Sequence, residues 1–386
     1  EGEMRSDACG RRPAEVWILA AMLACSTVSA GNEDYWHRPV PVQGPAPLGH
    51  VPLARDQGPE SCGLCHPTQY SDWRASHHAK AAREGLLGQL DAFDEATRQE
   101  CLDCHAPRAE QQALWQDVKL ASMDRVSGVD CAACHLRRNV RHGPRRIART
   151  PHGAVVENSL FHRSEFCAPC HQFDEEGLSV NGKPLEDTYA EWTRSRYARE
   201  GITCQACHMP RGDHDFKGIH DPATTRRGLS VQAMRTREGV TVRATNAGAG
   251  HALPTYVTPR IVLSIASPAQ PVRRVQHPIH RRMDWDPETG WREIEDTRLN
   301  PDESAELMLP LPRYGQAAVT VEVTPDADYH DRVYPGLLEL LGERLSSKAR
   351  ALLERAREQA TTSRYTLYRF HCPAWSGTDV SCQEAH

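Results

Sequence analysis

Five short stretches decide how this chain reads: Cys62-Gly-Leu-Cys65-His66, Cys101-Leu-Asp-Cys104-His105, Cys131-Ala-Ala-Cys134-His135, Cys167-Ala-Pro-Cys170-His171 and Cys204-Gln-Ala-Cys207-His208. Each places two thiols three positions apart and a histidine directly after them. Two such thiols reach the two vinyl groups of one porphyrin and form thioethers, while the adjacent imidazole lies beneath the iron as proximal ligand. A zinc ribbon needs two Cys-x-x-Cys pairs per metal, so five pairs would leave one over, and it does not need a histidine after every pair. A thioredoxin-like thiol site is single. The motifs therefore predict five covalently attached haem c groups.

Successive motifs start 39, 30, 36 and 37 residues apart, too irregular for a solenoid repeat. Five macrocycles within 147 residues leave little room for a side-chain core. The hydrophobic content of 39% with only 6% aromatics agrees, since the cofactors themselves would fill the interior. Short helices are expected between motifs, over 91–104 and 109–121, where apolar residues recur at helical spacing. Trp73, Trp115 and Trp192 lie among the motifs and suit packing against porphyrin edges or in the general core.

Cysteine-histidine motifs stop near Gly228 and alternating segments begin: 229–234, 240–245, 261–265, 291–294, 306–311 and 318–323. Short strands separated by turn residues suggest a small sandwich. Helices over 334–345 and 348–360 follow, the second capped by Ser346 or Ser347, and 365–370 alternates again. The fold class expected is α+β: a mostly α and irregular multihaem region, a small β-sandwich and C-terminal helices. The expected divisions are a signal peptide at 1–30, an extended Pro- and Gly-rich leader at 31–61, the haem domain at 62–227, the sandwich at 228–330, and helices with a disulfide-closed tail at 331–386.

Arg11 and Arg12, the apolar run Val16–Ala24 and the small residues Val28-Ser29-Ala30 have the layout of a secretory signal. The run is far shorter than the ~20 residues of a membrane span. A rival reading processes the chain at Cys25, which would carry lipid and attach the protein to a membrane. Either implies export to the periplasm or beyond, where Cys372 and Cys382 would form a disulfide. The balance of 46 Lys plus Arg against 51 Asp plus Glu argues against nucleic acid as partner.

Twenty histidines less five proximal ones leave fifteen for the opposite side of the irons. An iron with two imidazoles is closed and shuttles electrons, whereas an open one binds small molecules. Around the motifs the chain resembles the multihaem cytochromes related to cytochrome c554. Trp73-Arg-Ala-Ser76-His77-His78-Ala79 is similar to the family's Trp-x-x-Ser-x-His-Ala, which implies His78 as a distal ligand. His142, seven residues after His135, matches the family's spacing of another. The stretch from Pro151-His152 through Phe161-His162 to Cys167 offers His152 and His162 as alternatives. Cys204–Pro210 followed by His214 and His220 looks like the family's closing motif, with His214 favoured. Asn246-Ala-Gly-Ala-Gly250-His251-Ala-Leu-Pro254-Thr255 resembles the loop by which the sandwich lends a ligand back, here His251. The family's Gly-Pro after the third motif is Leu136-Arg137 in this chain.

The function expected is electron transfer between redox partners, either other redox proteins or an extracellular acceptor, through five closely spaced bis-His haems in a line or branched stack. Two alternatives stand beside it. One is an oxidoreductase acting on nitrite, hydroxylamine or a similar small molecule at an open haem. The other is a homo-oligomer or extracellular filament in which His37 ligates a neighbour's haem. The basic run Arg137, Arg138, Arg141, Arg145, Arg146 and Arg149 suits haem propionates, an acidic partner or plain solvation.

Overall fold

The computed structural model describes residues 35–118, 126–173, 178–286 and 288–385. The expected signal peptide and Cys25 lie outside the described residues. So does the end of the helix expected over 109–121, which is described as Ala109–Val118.

Helices of the motif region are short, and four of them, Glu95–His105, Cys131–His135, Ala168–His171 and Cys204–His208, end on a motif histidine. Pro67–Ala75 opens on a proline at its first position, where the missing N–H costs nothing. The helix expected over 91–104 is Glu95–His105, and a separate helix, Glu84–Leu90, precedes it. Asp94 sets the start of Glu95–His105 by accepting a hydrogen bond from the Thr97 amide, the side-chain cap typical of aspartate. After the third motif comes a small sheet of β1 (Leu136–Arg137), β2 (Val140–Gly143) and β3 (Val155–Glu157), followed by a two-stranded ribbon of β4 (Ser179–Val180) and β5 (Lys183–Pro184).

Long strands start at Leu229. In chain order they are β6 (Leu229–Arg235), β7 (Gly239–Asn246), β8 (Arg260–Ser267), β9 (Gln270–Ile279), β10 (Arg281–Asp286), β11 (Gly290–Asp296), β12 (Ser304–Pro310), β13 (Ala317–Thr324), β14 (Tyr365–Cys372), β15 (Val380–Ser381) and β16 (Gln383–Glu384). One sheet runs β12-β7-β6-β15 and the other β16-β14-β13-β8-β9, while β10 and β11 form a separate hairpin. Every second residue of β13 is buried, Ala317, Val319, Val321 and Val323, and Val240, Val242 and Ala244 of β7 do the same. The two apolar faces make one core that also takes in Leu263, Ile265 and Phe370.

Strands β9 and β10 escape the alternation pattern. Strand β9 lies at a sheet edge and carries Pro271 and Pro278, which only an edge tolerates because the ring removes a ladder donor. The tail also belongs to the sheets: β14 pairs with β13, and the bonded Cys372 and Cys382 (S–S 1.99 Å) link it back toward β6, where the Cys382 amide donates to the Ala233 carbonyl.

The helix Ser347–Thr362 is capped by Ser346, whose hydroxyl accepts from the Ala349 amide. Its buried stripe of Ala349, Leu352, Leu353, Ala356 and Ala360 faces Glu84–Leu90 of the motif region. Contact is tight enough that a Cβ on Gly88 would fall 2.7 Å from Leu353 Cγ. Truncating Leu353 to alanine should cost about 2–5 kcal/mol.

Candidate functional site

A helical turn puts positions i, i+3 and i+4 on one face. The motifs use this directly. Cys131–His135 and Cys204–His208 are each a single turn, and Cys101-Leu-Asp-Cys104-His105 ends the helix Glu95–His105. The His66 amide donates to the Cys62 carbonyl at 2.9 Å and the His171 amide to the Cys167 carbonyl at 3.1 Å, closing the same turn in the other two. Two sulfurs and an imidazole thus share one side of each turn. Asp130 caps the third motif through the Ala133 amide, and Arg108 neutralises it at 2.8 Å in a buried pair. Burial raises the Asp130 carboxyl, against the pull of Arg108.

Four proximal imidazoles each face a second imidazole. Ring centres are 6.4 Å apart for His66 and His152, 6.3 Å for His171 and His78, 6.2 Å for His135 and His214, and 6.3 Å for His208 and His251. Two imidazoles bonded to one metal from opposite sides, each through a nitrogen at about 2 Å, put their ring centres about 6 Å apart. In four of these rings Nδ1 meets a backbone carbonyl. Nδ1 of His135 faces the His142 carbonyl (2.8 Å), that of His208 the Lys217 carbonyl (2.8 Å), that of His214 the Gly212 carbonyl (2.7 Å), and that of His251 the Ala252 carbonyl (2.9 Å). A carbonyl partner holds the proton on Nδ1 and leaves Nε2 as a lone pair for iron. Enclosure by the fold pushes the imidazole of His78 down to about 3 and those of His135 and His251 to about 4, so they stay neutral, the form a metal binds.

His105 differs. Its Nδ1 faces the Ala81 carbonyl at 2.9 Å, yet among the described residues no imidazole stands across from it. His142 and His162 are not placed opposite any proximal ring. The His142 ring packs edge-on against Tyr35 at 5.4 Å, and it is the backbone carbonyl of His142 that meets His135. His162 is exposed with its Nε2 at 2.9 Å from the Pro144 carbonyl. The His220 ring lies 4.0 Å from that of His77, tilted by 36°, and His220 pairs with Asp326. His37 is exposed.

The loop that carries His251 is held from several sides. The Asn246 side chain donates to the carbonyls of His251 and Leu299 and accepts from the Ala249 amide. A Cβ on Gly248 would lie 1.9 Å from the Arg227 carbonyl oxygen, so only glycine fits that approach. Buried Glu191 accepts from the Ala252 amide and the Thr255 hydroxyl and pairs with Arg298 at 3.1 Å.

The motifs neighbour one another in a branched order. Cys62 lies beside Cys131, Cys104 beside Cys170, and Cys167 beside Cys204. Cys134 acts on both Cys167 and Cys170. The first motif therefore adjoins the third, the third adjoins the fourth, and the fourth adjoins both the second and the fifth.

Sequence reasoning missed the leader's part. The Tyr35 hydroxyl donates to the Cys134 carbonyl, the Arg137 guanidinium stacks over the Tyr35 ring at 4.1 Å, and Arg38 donates to the Cys104 sulfur at 3.1 Å. Nε1 of Trp36 and Nη2 of Arg137 are buried donors with no protein acceptor. Such donors beside a motif suit the carboxylate of a porphyrin propionate. Cysteine turns, facing imidazoles with Nδ1 atoms held by carbonyls, and unpaired donors all fit haem c. Trp73 and Trp192 instead serve the protein itself, donating to the carbonyls of Val129 and Ile202.

The chain is similar to known cytochromes. The family model described as cytochrome c554 and c-prime matches residues 61–136, which hold the first three motifs. The cytochrome c-type protein TorY of Haemophilus influenzae is 25% identical over 48% of this chain and 45% of its own length. Cytochrome c-554 of Nitrosomonas europaea is 27% identical over 36% of this chain and 63% of its own. The chain thus spans roughly half to two-thirds of the curated relatives it matches. The crystal structure of a penta-heme cytochrome c552 from Thermochromatium tepidum aligns with 84% of this chain and all of its own at a TM-score of 0.54 and 20% identity, a likeness of fold. With its motifs, its α+β architecture and its relatives, the chain is a multihaem c-type cytochrome related to the cytochrome c554 family, carrying covalently bound haem c.

Proposed function

We propose that the protein transfers electrons between redox partners through its haems, four of which are held between two histidines. The pairs are His66 with His152, His135 with His214, His171 with His78, and His208 with His251. The observation that carries this reading is the 6.2–6.4 Å separation of those four ring pairs. The haems supply the redox chemistry, and the protein supplies ligation, spacing and burial. His171 and its cysteines sit at the branch, so electrons arriving at the first motif would divide toward the second and fifth. The secretory pattern near the N-terminus supports export, with other redox proteins or an extracellular acceptor as partners. EPR of the oxidised protein tests the reading. Four low-spin irons are expected, and His152→Ala, His214→Ala, His78→Ala and His251→Ala should each convert one of them to high spin. A variant in this set that leaves all four low-spin signals intact removes that histidine from its role.

One observation favours a second reading beside it. No imidazole among the described residues faces His105, which would leave the second haem open to a small ligand such as nitrite or hydroxylamine. A high-spin iron that shifts on adding cyanide, together with turnover of hydroxylamine by the dye-reduced protein, supports this reading. Five low-spin irons and no turnover would refute it.

A further inference from the structure

We propose that the face around the first motif is the docking surface for an acidic one-electron carrier. The inference rests on the electron-transfer reading above, in which His66 and His152 hold the first haem. Exposed apolar side chains concentrate there. Leu64 sits between the two cysteines of that motif and is 70% exposed. Ile147 and Val156 are half exposed and lie on the segment around His152, and Leu48 is 86% exposed on the leader beside it. The Val51 amide donates to the Pro151 carbonyl, and Ile147 and Val155 bond to each other through their backbones, so leader, loop and β3 form one continuous patch. Monomers seldom leave such a patch bare without use.

Its rim is positive. The six residues Pro144–Arg149 are all exposed and include Arg145, Arg146 and Arg149. Among the described residues no carboxylate forms an ion pair with these three. Two of the earlier arginines are used inside the protein: Arg137 stacks on Tyr35 and bonds the Tyr35 carbonyl, and Arg141 bonds the Ala54 and Asn139 carbonyls. Asp56, Glu60 and Glu157 are the exposed acids nearby, and with Arg55 and Arg138 also exposed the arginines stay in excess. The whole chain carries a formal charge of −5, so this face stands out as a positive pole on an acidic molecule. A positive rim around an apolar centre steers a negative partner and lets the reacting edges approach once water leaves. The same loop presents His152 and the arginines, which couples docking to the haem that the partner would address.

The test uses the full-length haem-loaded protein and a reduced plant-type [2Fe–2S] ferredoxin, an acidic one-electron carrier. In each encounter one cluster is oxidised by one electron and one ferric iron is reduced to ferrous. Stopped-flow absorbance gives the second-order rate constant. For the Arg145→Gln, Arg146→Gln, Arg149→Gln triple variant it should fall about tenfold at low ionic strength and converge with the unaltered protein at high salt. The corresponding triple lysine variant should restore the rate, because it keeps the charge. Arg273→Gln with Arg274→Gln, on exposed positions of edge strand β9, should leave the rate within about twofold. An unchanged rate in the glutamine variant, an equal fall in the β9 variant, or shifted haem potentials in place of a changed salt dependence would overturn the proposal. The readings fail separately. Docking fails on the salt dependence, whereas electron transfer through paired histidines fails on the EPR count.

Discussion

Glu191→Ala should loosen the junction between the motif region and the sandwich. The Glu191 side chain is only 5% exposed, and its Oε1 lies 3.1 Å from Nη1 of Arg298. Its Oε2 accepts from the Ala252 amide at 3.0 Å and from the Thr255 hydroxyl at 3.1 Å. Burial raises the carboxyl, and Arg298 with the two hydrogen bonds only partly reverses this. Removing one member of a buried pair costs about 3–5 kcal/mol, most of it from the charge left behind. Here Arg298 keeps Asp296 at 2.9 Å and the Thr255 carbonyl at 3.0 Å, which places the cost near the lower end. Two donors lose their acceptor, each worth about 1 kcal/mol net. The sum is about 5 kcal/mol for alanine, and about 1–2 kcal/mol for Glu191→Gln, which keeps an acceptor oxygen. Urea unfolding followed by circular dichroism measures the difference. EPR adds a local readout, because Ala252 adjoins His251: the low-spin signal of the His208–His251 pair should fade at lower urea than the others. A Glu191→Ala variant within about 1 kcal/mol of the unaltered protein, with that signal intact to the global midpoint, would refute the reasoning.

Two further outcomes follow from charge and covalent closure. Burial works against the Asp296 carboxylate, but hydrogen bonds and the charge of Arg298 outweigh it and lower its pKa from 3.8 to about 2. A folded pKa below the unfolded one stabilises above about pH 4 and is lost as pH falls toward 2, a contribution of about 2 kcal/mol. Asp296→Asn should therefore be less stable at pH 6 by about that amount and match the unaltered protein near pH 2, measured by urea midpoints across the range. Replacing Cys372 and Cys382 by serine opens a link with a sequence separation of 10 and should cost about 3 kcal/mol, read as a lowered unfolding midpoint under non-reducing conditions and no difference under reducing ones.

The sequence alone determined what is local. Cys-x-x-Cys-His is a chemical instruction contained in one helical turn, so the cofactor and its proximal side were legible without any fold. The alternation of β13 and the stripe of Ser347–Thr362 were likewise readable, since period and face are properties of a short segment. Strand β9 was not, because its prolines make sense only at a sheet edge, and an edge exists only once the sheet is assembled. Tertiary structure decided which imidazole faces which. His78 meets His171, and His251 from the sandwich meets His208, across separations that no local pattern encodes. Spacing drew His142 toward His135, but the turn between β1 and β2 brings its carbonyl there and swings its ring onto Tyr35. The same folding leaves His105 without a facing ring among the described residues. Ligation on the second side is therefore a property of three-dimensional placement. It is set by backbone carbonyls that orient the Nδ1 of His135, His208, His214 and His251, and by the packing that brings distant loops within about 6 Å of one another.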